Sequence, residues 1–399
     1  MVLNIIGGTY FEYCIEPHWS ELYGSGLRAV HALSEKGLNI NYHTFIDKST
    51  LENLEVICSA LNVSLYPKVI DQTSSFTYYH PLSHPEVFPI PPEKDSPIIA
   101  VKGDNVLLFG TIEGETKVIG DRVVYDPQSP YSPSTFWKNG SSANNLIWVA
   151  NEQEVRSISN SSKLSEIKRY FFVEEKASAV IIKKGSDGAL IIQPDKEDVV
   201  IPSYQTDSVW PIGTGDIFSS IFASKWLMEL LPIEEAANIA SIATAYYANS
   251  STLPIPADLS LNSFKSFYRT SSEPKKVYLA GPFFTMSQRW LINQFRDSLL
   301  KIGLKVFSPY HDVGVGAAEE VVHLDIEALN SCDVIVAILD GLDSGTLFEV
   351  GYGRAIGKPV VGFLESGMQE SMTMLEGTNC IIEKDFSTVI YKAVWESNK

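Results

Sequence analysis

Short apolar runs alternate with longer amphipathic stretches along this chain. IIAVKG (98–103), NVLLFG (105–110), RVVYDP (122–127), LIWVAN (146–151), AVIIKKG (179–185) and ALIIQP (189–194) each end in Gly, Pro, Asp or Asn. They predict short strands. In IEEAANIASIATAYYA (233–248) Ala and Ile recur at helical spacing, which predicts a packed helix. Strands interleaved with helices predict a parallel sheet covered on both faces. Residues 250–276 interrupt this pattern with three prolines and many serines, the composition of a linker. The alternation then restarts. KVYLAG, LKVFSPY, DVIVAIL and PVVGFL predict strands, and QRWLINQFRDSLLKIG, AEEVVHLDIEALNSC and GTLFEVGYGRAIG predict the helices between them. The expectation is an α/β protein with two doubly wound domains, 1–255 and 276–399, joined by a linker at 256–275, with no internal repeat.

Composition narrows the function classes. The 399 residues carry 31 Lys+Arg against 48 Asp+Glu, a net charge of −17. No basic run is present, so a nucleic-acid partner is not expected. Small anions remain possible ligands, because local dipoles hold phosphate even on an acidic protein. No stretch approaches the roughly 18 apolar residues of a membrane span. The first residues, MVLNIIGGTYFEYCIEP, lack a basic start and predict a buried strand rather than a signal peptide. Cys14, Cys58, Cys332 and Cys380 form no CxxC pair, and the histidines show no ligand spacing. A reducing, cytoplasmic setting without a zinc site is expected.

Candidate chemistry in the larger domain centres on WPIGTGDIFSSIFASKWL. Gly213, Thr214 and Gly215 lead into a helix expected to start near Asp216. Backbone amides crowded by glycines and the positive helix end would form an anion hole for a phosphoryl group. Asp216 is placed to accept the proton of an attacking hydroxyl. A bare GxGD is also compatible with a tight turn and an Asp cap. The order of motifs over residues 1–255 resembles the PfkB-type, ribokinase-like sugar and nucleoside kinases. That resemblance implies a three-layer αβα fold, Asp216 as catalytic base, and an anion hole at 213–215. It assigns ATP and phosphate binding to Asn151 and to Gly185 and Gly188 of IIKKGSDGALI. It assigns Mg²⁺ to Glu154 of N-x-x-E, and the sugar to Glu12, Gly24 and Gly26. YDPQSP (125–130) matches the family's Asp-Pro. The sequence departs from the family at Glu12, where an Asp is usual, at Arg28, near a usual Asn, and at Lys183, where Thr is common. The segment between Glu12 and Gly24 is short, so a reduced sugar-covering lid is expected.

In the smaller domain, DVIVAILDGLDSGTLFEVGYGRA places Asp340 and Asp343 in the loop after a strand. Ser344 is expected to cap the next helix, and Glu349 falls within its first two turns. A carboxylate there gains from the helix dipole and is expected to stay ionised. An ionised carboxylate facing a sugar C1′, with a second carboxyl as proton donor, equips a site for retaining glycosyl transfer. Gly351 and Gly353 are expected to let the helix lie close to its neighbours. YLAGP at 278–282 followed by DSGTLFEVG resembles the nucleoside 2-deoxyribosyltransferases and related N-hydrolases, over about 276–385. That resemblance implies a flavodoxin-like parallel sheet. It makes Glu349 the nucleophile, has Tyr278 orient it, and gives Asp325 the leaving base. Asp343, Gly281 and Ser344 fall near the sugar, and no cofactor is needed.

Together the two resemblances imply a bifunctional enzyme acting on nucleosides, sugars and ATP with Mg²⁺. They imply a homo-oligomer with no membrane or nucleic-acid partner. Arg28, Lys183 and the short lid keep a second expectation open, in which the larger domain senses a nucleotide or sugar and regulates the glycosidase. A third, NAD cleavage, lacks the GxGxxG fingerprint followed by an acidic residue.

Overall fold

A computed structural model describes residues 1–90, 96–259, 264–271, 273–314, 318–366 and 373–399. Two compact units emerge: Met1–Thr206 with Trp210–Phe267, and Asp207–Val209 with Tyr268–Lys399.

The larger unit is built on a nine-stranded sheet. Its strand order is Val199–Ile201, Ala189–Ile192, Ala179–Lys183, Ser142–Asn151, Glu115–Asp126, Ile98–Phe109, Val2–Ile6, Asn39–Asp47 and Ser64–Ile70. The first two pairings are antiparallel. The others are parallel. Because side chains alternate between faces, neighbouring residues enter opposite cores. Ile5, Leu107, Ile147 and Ile181 pack with the helices Gly24–Leu33, Thr214–Ala223 and Ile233–Ser250. Ile6, Leu108, Trp148 and Ile182 pack with Glu152–Ser159 and Leu164–Arg169 on the other face. Each fully buried Ile or Leu contributes roughly 1.5–3 kcal/mol, so the two apolar faces rather than helix propensity place the helices.

The runs IIAVKG and NVLLFG do not form separate strands. They are two arms of one twelve-residue element, Ile98–Phe109, paired along its length with Glu115–Asp126. Pairing skips one residue after Gly103↔Gly120 in both. The connection 110–114 reaches at most about 20 Å, half the length of a straight twelve-residue strand. Both elements therefore turn back at this shared interruption.

A second sheet of four strands, Trp19–Leu22, Phe11–Cys14, Ser75–Tyr78 and Glu86–Phe88, stands beside the main one. The expectation of a reduced lid rested on the segment between Glu12 and Gly24, whereas this sheet also draws on residues 75–88. The segment after Glu12 is short, but residues 75–88 add two strands that no local signal near Glu12 could announce. Residues within the segment read as a linker also pair, Lys265–Phe267 against Ser203–Gln205.

The smaller unit holds a five-stranded, all-parallel sheet in the order Lys305–Phe307, Lys276–Ala280, Val334–Ile338, Val360–Phe363 and Ile381–Glu383. This is the flavodoxin-like order 2-1-3-4-5, whose switch point lies between the first and third strands. Helices Met286–Lys301, Ala318–Ser331, Ser344–Ala355 and Phe386–Ser397 flank it. Of Gly351 and Gly353 on the helix Ser344–Ala355, only Gly353 serves close packing. A Cβ there would lie 2.1 Å from Ile335 Cδ1, whereas at Gly351 it would meet nothing within 4 Å. Among the described residues no helix is long and apolar enough to cross a membrane.

Candidate functional sites

In the larger unit, three chemistry-bearing residues end adjacent parallel strands: Asp126, Asn151 and Lys183. The carboxyl ends of such strands are where open α/β sheets bind ligands. The helix Thr214–Ala223 starts there too, two residues before the expected Asp216, with Gly213 as its N-cap at φ 81°. A cavity of about 380 Å³ opens between them, lined among others by Glu12, Asn151, Glu154, Gly213, Gly215 and Asp216. Six of the proposed kinase residues are thus brought together. Thr214, Gly24, Gly26, Gly185 and Gly188 do not line this cavity. The Thr214 hydroxyl donates to the Pro211 carbonyl at 2.8 Å. Gly24 N–H donates to Glu12 Oε1 at 3.1 Å. Gly26 N–H donates to the Gly8 carbonyl, and Gly185 and Gly188 bracket the turn after Lys183.

Asn151 and Glu154 form a reciprocal capping box. Glu154 N–H donates to Asn151 Oδ1 and Asn151 N–H to Glu154 Oε2, both at 2.8 Å. Burial, then the nearby Asp126 charge, pushes the Glu154 carboxyl up to about 7. Among the described residues no group of three or more His, Cys, Asp or Glu side chains forms a ready metal cage. The capping box uses only Oε2 of Glu154, so a magnesium ion bound by this one carboxylate plus donor phosphates fits the residues present.

Charge at this site is internally paired. Arg28, 1% exposed, donates from Nη1 to Asp216 Oδ2 at 2.6 Å and to Glu12 Oε1 at 3.3 Å, and from Nη2 to Glu12 Oε2. Gln128 Nε2 donates to Asp216 Oδ1. The guanidinium runs so close to the loop that a Cβ on Gly213 would lie 2.2 Å from Arg28 Nε. Gly213 is therefore required both for its positive φ and for the passage of Arg28. Burial pushes the Glu12 carboxyl up, against the pull of Arg28. Lys183 Nζ pairs with the fully buried Asp126 at 2.5 Å, and Ser219 Oγ donates to the same oxygen.

Of these, Gln128 and the pairing role of Arg28 were missed from sequence. A signal for Arg28 existed. It sits in LRAVHAL, where every residue except His31 is buried, so its charge had to be buried and paired.

In the smaller unit, Tyr278 on the first strand and Glu349 on the helix after the third meet at the switch point. The Tyr278 hydroxyl donates to Glu349 Oε1 at 2.6 Å. Asp325, on the helix before the third strand, interacts electrostatically with both. Its Oδ1 is buried without a hydrogen-bond partner among the described residues, and burial raises its carboxyl. The helix cap is Asp343, not Ser344. Asp343 Oδ2 accepts from Thr346 N at 2.9 Å and Thr346 Oγ1 at 3.0 Å, while Ser344 is exposed. The longer carboxylate reaches both groups, so capping shifts by one residue. Gly281 lies against Ile338. Asp340 is committed to the backbone of Glu365 and Ser366.

The Glu349 carboxyl is shifted up rather than down, contrary to the expectation from the helix dipole. Burial raises its carboxyl to about 7; the Tyr278 hydrogen bond lowers it, and Asp325 and Asp343 raise it. Desolvation outweighs a surface-strength dipole term of under about 1 kcal/mol. A reaction needing the Glu349 carboxylate should therefore rise in rate with pH through about 7. In Tyr278→Phe the inflection should move alkaline by roughly one unit, since a hydrogen bond to a charged group contributes about 1.5 kcal/mol. The pH–rate profile of base release checks this; an unmoved or acid-shifted inflection contradicts it.

Comparison with known proteins finds a family match within each unit. Residues 118–253 match the pfkB family carbohydrate kinases, and residues 277–384 match nucleoside 2-deoxyribosyltransferase. An uncharacterized protein of Ureaplasma parvum serovar 3 is 32% identical over 103 residues, covering 22% of this chain. The chain spans 65% of the length of that relative. A fructokinase double mutant from Vibrio cholerae O395, solved with fructose, ADP and potassium ion, aligns at TM-score 0.50 and 13% identity, over 65% of this chain and 96% of its own. Ribokinase of Thermotoga maritima aligns at 0.46 and 17%, over 64% and 96%. A nucleoside kinase of Methanocaldococcus jannaschii aligns at 0.45 and 16%, over 63% and 94%. The fructokinase likeness shows that the larger unit has the ribokinase-like fold. The chain thus joins a ribokinase-like unit matching the pfkB family carbohydrate kinases to a parallel-sheet unit matching the nucleoside 2-deoxyribosyltransferases.

Proposed function

We propose that the smaller unit cleaves or exchanges the N-glycosidic bond of (deoxy)nucleosides and that the larger unit phosphorylates a sugar or nucleoside hydroxyl with ATP. The observation that carries the first activity is the Tyr278–Glu349 hydrogen bond beside the unpartnered oxygen of Asp325. Glu349 attacks C1′ and a glycosyl ester forms as the C1′–N bond breaks. The departing base takes a proton from Asp325, whose burial favours its protonated form. Water, or a second base, then attacks C1′, passes a proton to the Asp325 carboxylate, and releases Glu349. Asp343 lies close enough to act on the charge of Glu349. A 5′-phosphate placed near the sugar would meet this second carboxylate, which favours unphosphorylated nucleosides.

The observation that supports the second activity is Asp216 in the first turn of the helix Thr214–Ala223, in one cavity with Asn151 and Glu154. The acceptor hydroxyl attacks the terminal phosphorus of ATP, ADP leaves, and the hydroxyl proton passes to Asp216. Of the 213–215 loop, Gly213 and Gly215 line the cavity and their amides would meet the developing charge, whereas Thr214 N–H donates to the Pro211 carbonyl. A magnesium ion, held by Glu154 and the donor phosphates, would neutralise charge on those phosphates. The two activities together would turn a nucleoside into free base and pentose phosphate. Incubation with a nucleoside panel, with and without ATP-Mg²⁺, followed by mass spectrometry tests both. Free base without ATP and pentose phosphate only with it are expected, and absence of either product removes the corresponding activity.

A further inference from the structure

We propose that the acceptor taken by the larger unit carries an oxyanion group and that Arg28 receives it. This rests on the phosphoryl-transfer reading of that unit and adds the chemical class of its acceptor.

The acceptor side of the cavity is short of free acceptors. A neutral sugar binds largely by donating hydroxyl protons to carboxylates, but here these are taken. Glu12 Oε1 accepts from Gly24 N–H and Arg28 Nη1, and Glu12 Oε2 accepts from Arg28 Nη2. Asp216 Oδ2 accepts from Arg28 Nη1, and Oδ1 from Gln128. Donors are what remains. Ser25 Oγ, in a residue 4% exposed, and Arg28 Nε, in a residue 1% exposed, are buried without a hydrogen-bond partner among the described residues. Both residues line the same cavity as the loop Gly213–Gly215. Unpaired buried donors are costly, and a ligand that satisfies them recovers that cost. A planar guanidinium with a hydroxyl beside it suits a carboxylate or phosphate.

The same pairing links binding to reaction. While Arg28 holds Oδ2, Asp216 has no oxygen clear of a strong donor. An oxyanion on the acceptor competes for the guanidinium and loosens its Nη1–H hydrogen bond to Asp216. Oδ2 is then clear to take the proton of the attacking hydroxyl. A neutral acceptor leaves the Arg28–Asp216 pair closed. The usual Asn near this position would make neither the pair nor the demand for an anion.

The test uses the full chain and calorimetric binding of neutral hexoses and pentoses, their aldonic acids, and their 1-phosphates. All three forms keep a free hydroxymethyl, and the acids and phosphates separate carboxylate from phosphate recognition. At least one anionic form should bind tenfold or more tightly than its neutral parent. Arg28→Asn should bring the two within about twofold. Because that change strands two buried carboxylates, Glu12→Gln with Arg28→Asn is measured beside it, with thermal melting as the check of folding. Equal binding of neutral and anionic forms, no binding at all, or a preference that survives loss of Arg28 overturns the proposal. With ATP-Mg²⁺ added, an anion preference without phosphoryl transfer would sink the kinase reading and leave the ligand class standing. Transfer to neutral sugars as fast as to their acids would do the reverse.

Discussion

Glu349→Ala should abolish base release from nucleosides, by on the order of 10⁴-fold or more, equivalent to about 5.5 kcal/mol of barrier. The size follows from the role. Loss of a covalent nucleophile removes a bond-forming partner rather than one hydrogen bond. The control is stability, because the hydroxyl of the fully buried Tyr278 loses its acceptor, a cost of about 1–3 kcal/mol. Glu349→Gln keeps an acceptor at that place and should melt closer to wild type while remaining as inactive. Rates of free-base formation, measured by chromatography, decide the matter. Base release at the wild-type rate in a folded Glu349→Ala protein would remove Glu349 from the mechanism. Phosphoryl transfer by the larger unit should be unaffected in both variants.

Asp216→Asn should cut ATP-dependent phosphorylation by about 10²–10⁴-fold, the range for a positioned general base. The amide keeps the shape of the carboxylate and still accepts one hydrogen bond from Arg28, but it takes no proton from the acceptor. It also removes one of the two carboxylates that balance the Arg28 charge, so a loss of stability should accompany the loss of rate. Breaking one member of a buried ion pair typically costs 3–5 kcal/mol, which here is an upper figure, since Glu12 remains paired. Labelled phosphate transfer and a melting curve separate the two effects. Base release by Glu349 should proceed as before. Undiminished phosphorylation in the variant would show that another group accepts the proton.

Much of the fold could be read from local pattern. Alternation between short apolar runs and amphipathic stretches announced two α/β units, and the period of two along 146–151 sends Ile147 and Trp148 to opposite cores. The helix after Gly213 was legible because two glycines interrupt an apolar sequence just before helical spacing begins. Local pattern failed where pairing was involved. IIAVKG and NVLLFG look like two strands because Gly103 and Asp104 separate them, yet they share one partner element. The second sheet escaped notice because its strands at 11–22 and 75–88 become neighbours only through tertiary contact.

The site residues divide in the same way. Types and spacings are properties of the chain itself: the GTGD turn, the Asn151–Glu154 capping box, and the six-residue step from Asp343 to Glu349 follow from covalent order and helix geometry. Partners and ionisation states are not. Arg28 and Asp216 are 188 residues apart, and only the packing of helix Gly24–Leu33 near helix Thr214–Ala223 closes that gap. Glu349 stands near a helix start, where sequence position alone favours the ionised form. The fold then buries it beside Asp325 and Asp343 and raises it to about 7. Hydrogen-bond and periodicity signals act over a few residues and are written along the chain, whereas desolvation and Coulomb interaction depend on what folding brings within a few ångströms.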